Sequence, residues 1–281
     1  MFTFTLIFIL SFGLLFGVRR AYRNTFDVSM QKVEIAVPLP KGQRINILHL
    51  SDMHVEHLSI TPEALYDKVK DLPVDLIALT GDQLERKKNI EPFMQYIDVL
   101  KRLQAPLGIY VVFGNHDYFM RQQSVALFRE KLEERGCIVL QNENRSIPLG
   151  HTRLNIIGID DFSTKRSNIT ASYEGIEHGI NLVLTHDPNL VLHMQDTPFD
   201  YLLAGHFHGG QIHWPKPYHL AKMGKLARMN IIKGLQYHND KPYYISEGLG
   251  QTGINIRTGC RPEITLHTLQ AAEDKRILHS A

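Results

Sequence analysis

The chain has 281 residues, 43% of them apolar, which fits one domain with a substantial core. Lys plus Arg total 31 against 29 Asp plus Glu, a near-neutral balance that argues against a dedicated nucleic-acid binder, which would be clearly basic. Its two cysteines, Cys137 and Cys260, stand far apart, which argues against a disulfide framework or a cysteine-ligated metal.

Residues 1–18 carry no charged side chain and are dense in Phe, Leu and Ile. As a helix the stretch would extend about 27 Å at about 1.5 Å per residue, near the hydrocarbon thickness of a bilayer. No basic segment precedes it and no small-x-small site follows, so an uncleaved transmembrane helix is expected over a secretory signal. Arg19, Arg20 and Arg23 follow the apolar run. The positive-inside rule then gives a single-pass cell-membrane protein with its main domain in the cytoplasm. Residues 19–42 read as a juxtamembrane connector, with Pro38-Leu39-Pro40 near its end.

The catalytic domain is expected over residues 43–270. Residues 44–50 read as a strand. A helix follows over 61–71, with Thr61 as N-cap and Pro62 at its first position. A strand at 74–79, a helix at 90–103 and a strand at 108–113 come next, then a helix over 121–135 stopped by Gly136. Strand-like runs occupy 137–140, 153–159, 182–184 and 201–203, and Asp187-Pro188 opens a further helix. Residues 230–266 alternate as strands and hairpins, and 271–281 form a polar tail. Strands alternating with helices give an α/β layer architecture.

Five short polar motifs each follow an apolar strand: Asp52-Met53-His54, Gly81-Asp82, Gly114-Asn115-His116-Asp117, His186, and Gly205-His206-Phe207-His208. Five of the 15 histidines lie in them. Taken singly, Gly-Asp reads as a turn, and a lone histidine as a surface or core residue. Taken together they converge, because ligand sites of open α/β sheets lie beyond the carboxyl ends of the strands. Aspartate, asparagine and histidine in this mixture suit two adjacent divalent metals, a centre that activates water against phosphate esters. Mn²⁺, Fe, Zn²⁺, Co²⁺ and Ni²⁺ all fit such donors.

The ordered set resembles the calcineurin-like metallophosphoesterases. The run Glu247-Gly248-Leu249-Gly250 through Ile256-Arg257 to Arg261-Pro262-Glu263-Ile264-Thr265-Leu266, with Gly209-Gly210-Gln211 after the last histidine motif, is similar to a bacterial membrane-associated phosphodiesterase branch related to UDP-2,3-diacylglucosamine pyrophosphatases. The resemblance implies a four-layer α/β/β/α sandwich. It also implies a phosphodiesterase or pyrophosphatase whose nucleophile is a hydroxide bridging two metal ions, and it admits a lipid-linked phosphoester as substrate. By motif, Asp52, His54 and His208 would bind one metal, Asn115, His186 and His206 the other, and Asp82 both. His116 would face the substrate as a proton donor or transition-state stabiliser. Asp117 would orient it, with a capping carboxylate as the alternative. Arg257 is a candidate contact for substrate phosphate, with a structural salt bridge or a plain surface residue as the alternative.

Gly81-Asp82-Gln83-Leu84-Glu85-Arg86-Lys87 departs from the protein serine/threonine phosphatase signature, and Asp117 stands where those enzymes carry Glu, which disfavours a phosphoprotein substrate. A cyclic-nucleotide phosphodiesterase shares Gly-Asn-His-Asp and stays open, as does a non-catalytic scaffold on the same fold. Residues 214–229 mix Trp214, Tyr218, Leu220, Met223, Leu226 and Met229 with Lys216, Lys222, Lys225 and Arg228. They are expected to border the metal site, either as a membrane-facing lid or as ordinary core.

Overall fold

The computed structural model describes residues 2–213 and 215–271, so Trp214 and the tail from 272 onward lie outside the described residues. A helix, α1 (Phe2–Arg23), leads into β1 (Ser29–Val37) and β2 (Arg44–Leu50). Then come α2 (Pro62–Val69), β3 (Leu76–Thr80), α3 (Ile90–Lys101), β4 (Ile109–Val112), α4 (Gln122–Glu134) and β5 (Ile138–Val139). The second half carries β6 (Glu143–Leu149), β7 (Thr152–Gly158), β8 (Ile180–Leu184), β9 (Tyr201–Ala204), β10 (Gly234–His238), β11 (Lys241–Ile245) and β12 (Glu263–Ala271).

These strands form two six-stranded sheets, ordered β1-β12-β2-β3-β4-β5 and β10-β11-β9-β8-β7-β6. In the first, β2 to β5 run parallel and β12 lies antiparallel to β2. In the second, β7, β8, β9 and β11 run parallel, with β6 and β10 antiparallel at the two edges. Alternate residues of a strand point to opposite faces, and this sorts the apolar side chains into separate cores. Ile45, Ile47, Leu76 and Ala78 of the first sheet pack with Ile180, Leu182, Tyr201 and Leu203 of the second, between the sheets. Leu48, Leu50, Ile77 and Leu79, on the other face, meet Leu65, Phe93, Ile97 and Phe128 of α2, α3 and α4. Val183, Leu202 and Ala204 are sealed on the far side by Leu190, Val191, Leu220 and Leu226. That far cover consists of 3-10 turns, Pro188–His193 and Tyr218–Lys222, and four-residue helices rather than long ones.

The capping signals act where expected. Thr61 accepts the Ala64 N–H at 3.2 Å at the start of α2. Asp187 accepts from Asn189, although the segment it opens is a six-residue 3-10 turn.

Three expectations are corrected. Among the described residues no helix is long and apolar enough to cross a membrane, so a transmembrane anchor over 1–18, and membrane attachment through it, are not supported. α1 runs on through Arg19, Arg20 and Arg23, and its last turn docks on the domain: Ala21 is buried and its carbonyl accepts the Arg257 N–H at 2.9 Å. Part of the expected connector is β1, which pairs parallel with β12 from Ser29↔Glu263 to Val37↔Ala271. Val33, Ile35 and Val37 alternate toward the inter-sheet core, a period-2 signal diluted by Lys32 and Glu34 on the other face. Ala271, placed in the tail, is the last residue of β12. β6, an edge strand of mostly polar residues, was not foreseen.

Candidate metal centre

The parallel strands of both sheets end at one rim. Ser51 to His54 follow β2, Gly81-Asp82 follow β3, Gly114 to Asp117 follow β4, Thr185-His186 follow β8, and Gly205 to His208 follow β9. The backbone is sharply bent there. Asp52, His54, Asp82, His206 and His208 all have positive φ, between 37° and 76°. Left-handed backbone costs non-glycine residues of order 1–3 kcal/mol each, and such strain clusters at functional sites. Gly114 and Gly205 permit the close approach, since a Cβ on Gly114 would strike the Asp82 carboxylate and one on Gly205 would strike Asp52.

Six of the seven expected metal ligands share two groups whose ligating atoms lie within 4.8 Å of one another: Asp52, His54, Asp82 and His208, and Asp82, His186 and His206. All six are buried. Asp82 belongs to both groups, with its Oδ2 3.1 Å from His186 Nε2 and 3.5 Å from His54 Nε2. Asp52 Oδ1 lies 3.3 Å from His208 Nε2, and His206 Nδ1 lies 3.1 Å from His186 Nε2. Two backbone carbonyls select tautomers. The His186 Nδ1–H donates to Thr80 at 2.9 Å and the His208 Nδ1–H donates to Gly250 at 3.3 Å, which leaves each Nε2 facing the centre.

These residues fit divalent cations on the structure's own terms. Both His54 ring nitrogens and Asn115 Oδ1 are buried without a hydrogen-bond partner, a state that buried polar atoms avoid unless a ligand completes them. Asn115, the seventh expected ligand, thus brings an orphaned oxygen to the rim. The electrostatics of the bare chain are those of crowded ligands. Burial alone would raise the Asp82 carboxyl, but His186 and His54 hold it well below the usual range. Burial, with the His54 and Arg257 charges, pushes His208 well below its ordinary value.

The remaining predicted residues fall elsewhere. His116 sits at the edge of the centre, its side chain 20% exposed, with Nε2 3.9 Å from Asp82 Oδ2. Asp117 does not serve it. Fully buried, Asp117 spends its two oxygens on the backbone N–H groups of Asp82, Gln83, Leu84 and Gly114, at 2.9–3.1 Å. It therefore ties the Asp82 loop to the Asn115 loop. The His116 Nδ1 bonds instead to Glu85 Oε1 at 2.8 Å. His54, whose Nδ1 lies 3.5 Å from Glu85 Oε1, holds the Glu85 carboxyl down to about 2, against partial burial and with the His116 charge assisting. Glu85 was missed, although it lies three residues beyond Asp82 in the same loop.

Arg257 is no phosphate contact. Its guanidinium is buried and donates to the carbonyls of His208, Glu247, Arg261, Gly248 and Gly250 at 2.6–3.3 Å. It thereby clamps the His208 loop to residues 247–250, with no carboxylate involved.

A cavity of about 460 Å³ opens at the centre, lined by Asp82, His116, His206 and His208 on one side and Leu220, Met223 and Ile254 on the other. The 215–229 segment therefore borders the site. Leu220 and Leu226 are buried in the core, whereas Tyr218 and Met229 are exposed.

A model of the calcineurin-like phosphoesterase family matches residues 45–210, more than half of the chain and all five of the polar motifs. An uncharacterised metallophosphoesterase, YkoQ of Bacillus subtilis (strain 168), is 58% identical over 89% of this chain and 93% of its own. Phosphodiesterase YaeI of Escherichia coli (strain K12) is 29% identical over 78% and 80%. UDP-2,3-diacylglucosamine pyrophosphatase LpxG of Chlamydia trachomatis serovar D is 28% identical over 79% and 82%.

Proposed function

Since the chain belongs to the calcineurin-like phosphoesterase family and is a hydrolase acting on phosphoester bonds, we propose that it cleaves a phosphodiester or pyrophosphate with the aid of two divalent cations. Asp52, His54 and His208 would hold one cation, Asn115, His186 and His206 the other, and Asp82 both. Bound there, the cations would lower the pKa of water and neutralise charge growing on the phosphoryl oxygens. The observation that carries the reading is the convergence of six buried Asp and His side chains around one shared carboxylate, with the orphaned Asn115 oxygen beside them. The names of YaeI and LpxG, a phosphodiesterase and a pyrophosphatase, support the choice of bond.

The chain's own part is positioning and proton transfer. Asp117 and Arg257 fix the ligand-bearing loops through backbone groups. Glu85 holds the His116 ring by Nδ1, leaving Nε2 on the side of Asp82 and the cavity. From there His116 delivers a proton to the departing oxygen.

The test is hydrolysis of bis-p-nitrophenyl phosphate by the purified full chain with added Mn²⁺. Turnover that stops with a chelator and returns with the metal supports the reading. Undiminished turnover in fully demetallated protein would sink it.

A further inference from the structure

Next to the first cavity lies a second one of about 720 Å³, and His206 and Met223 line both. Its wall carries Lys165, Lys222 and Lys225. Among the described residues none of the three has an acidic partner, whereas Lys70, Lys131 and Lys233 each pair with a carboxylate. Asp187 also lines this cavity, its Oδ1 accepting from the Asn189 N–H and side-chain amide, and its one carboxylate offsets one of the three ammonium groups. The wall therefore keeps a cationic excess next to the metal centre.

The lysines are not on loose chain. Asn189, three residues past His186, donates through Nδ2 to the Met223 carbonyl at 2.8 Å and accepts the Leu226 N–H on Oδ1 at 3.1 Å. Gly224, between them, has a φ of +107° and no room for a Cβ against the Asn189 amide. Lys222 and Lys225 are thus tied to the loop that carries His186. Lys165 comes from the turn after β7, where Asp161 Oδ2 accepts the Thr164 N–H and the Ser163 and Thr164 hydroxyls at 2.7–2.8 Å. Two separately braced turns present like charges to one cavity. Like charges gathered without partners are electrostatically unfavourable until an anion joins them, and a cleft of one sign concentrates anions of the other.

We propose that Lys165, Lys222 and Lys225 form a subsite for a second anionic group of the substrate, adjoining the scissile phosphoryl across His206, so that the site favours diphosphates over diesters with neutral substituents. This rests on the hydrolase reading above and specifies the substrate class for it. The lysines act as point charges, so the preference is carried in KM and weakens as salt rises.

The full chain with Mn²⁺ is assayed on ADP-ribose, a diphosphate diester, and on bis-p-nitrophenyl phosphate. Wild type is compared with the triple variant Lys165→Gln, Lys222→Gln, Lys225→Gln, and the same proteins are titrated calorimetrically with imidodiphosphate and with orthophosphate. The proposal expects the selectivity for ADP-ribose over bis-p-nitrophenyl phosphate, as a ratio of kcat/KM, to fall about tenfold in the variant, the effect of about 1.4 kcal/mol. It also expects imidodiphosphate to bind wild type more tightly than orthophosphate and to lose that advantage in the variant. An unchanged ratio overturns the subsite, as does imidodiphosphate binding no tighter than orthophosphate. If neither ester is turned over, the hydrolase reading fails, and the calorimetry alone then decides whether the lysines bind a second anionic group.

Discussion

Replacing Arg257 with methionine separates a structural clamp from a substrate contact. The guanidinium is wholly buried and serves five backbone carbonyls, those of His208, Glu247, Gly248, Gly250 and Arg261. Methionine keeps much of the volume and supplies no donor. A buried acceptor left without a partner costs about 1–3 kcal/mol. Relieving the burial of a cation, which already lowers the Arg257 pKa, offsets part of the sum. A net loss of about 4 kcal/mol follows, which at about 2–4 °C per kcal/mol lowers Tm by roughly 8–16 °C. Because one of the five carbonyls belongs to His208, metal affinity should fall as well. Thermal unfolding by circular dichroism, with and without chelator, reads the first effect, and metal titration reads the second. Lysine, with three donors, should recover part of the stability. If Arg257→Met unfolds at the wild-type temperature and raises KM alone, the guanidinium faces substrate phosphate and the clamp is wrong.

His116→Ala should keep its metals and lose rate by about 10²–10⁴-fold, the usual weight of a proton donor, with a smaller loss for very good leaving groups; loss of metal would make His116 a ligand. Glu85→Gln keeps a hydrogen-bond partner for His116 Nδ1 but removes the charge, so turnover should drop by about tenfold with metal content unchanged, and the alkaline limb of the pH–rate profile, where a proton donor is lost, should move to lower pH; an unmoved profile would deny Glu85 its positioning role. Stability should also fall in mild acid through His49, which lies between the sheets and is depressed by burial to about 3, below its ordinary 6.5. Its contribution is intact above about pH 6.5 and is lost as pH falls toward 3, because the unfolded chain binds the proton first, at up to about 1.4 kcal/mol per pH unit. In chelated protein, His49→Gln should flatten the dependence of Tm on pH between 6.5 and 4.5, and an unaltered slope would assign the acid sensitivity to other groups.

The rim was legible because short continuous apolar runs mark buried strands, and polar residues straight after them have nowhere to go but the carboxyl edge. That argument places Asp52, Asp82, Asn115, His186 and His206 at one rim without any knowledge of sheet order. It fails where function depends on a partner rather than a position. Asp117 reads as the natural companion of its neighbour His116, yet four backbone N–H groups hold it, and backbone partners leave no trace in residue identity. Arg257 suggests phosphate on chemistry alone, and only tertiary packing shows it facing carbonyls. β1 was hidden because its edge position leaves Lys32 and Glu34 exposed on either side of half-buried Val33, so the segment scans as a linker. The lysine wall joins residues 165 and 222–225, far apart in sequence, and no local pattern links them.

The central claim is that Asp82 serves two cations at once. It is tested most directly by measuring metal content by plasma mass spectrometry, beside turnover of bis-p-nitrophenyl phosphate, for wild type and Asp82→Asn after Mn²⁺ loading and desalting. The account predicts about two ions per wild-type chain, with both ions and turnover lost together in the variant. A variant that keeps its full metal content and its turnover would contradict it.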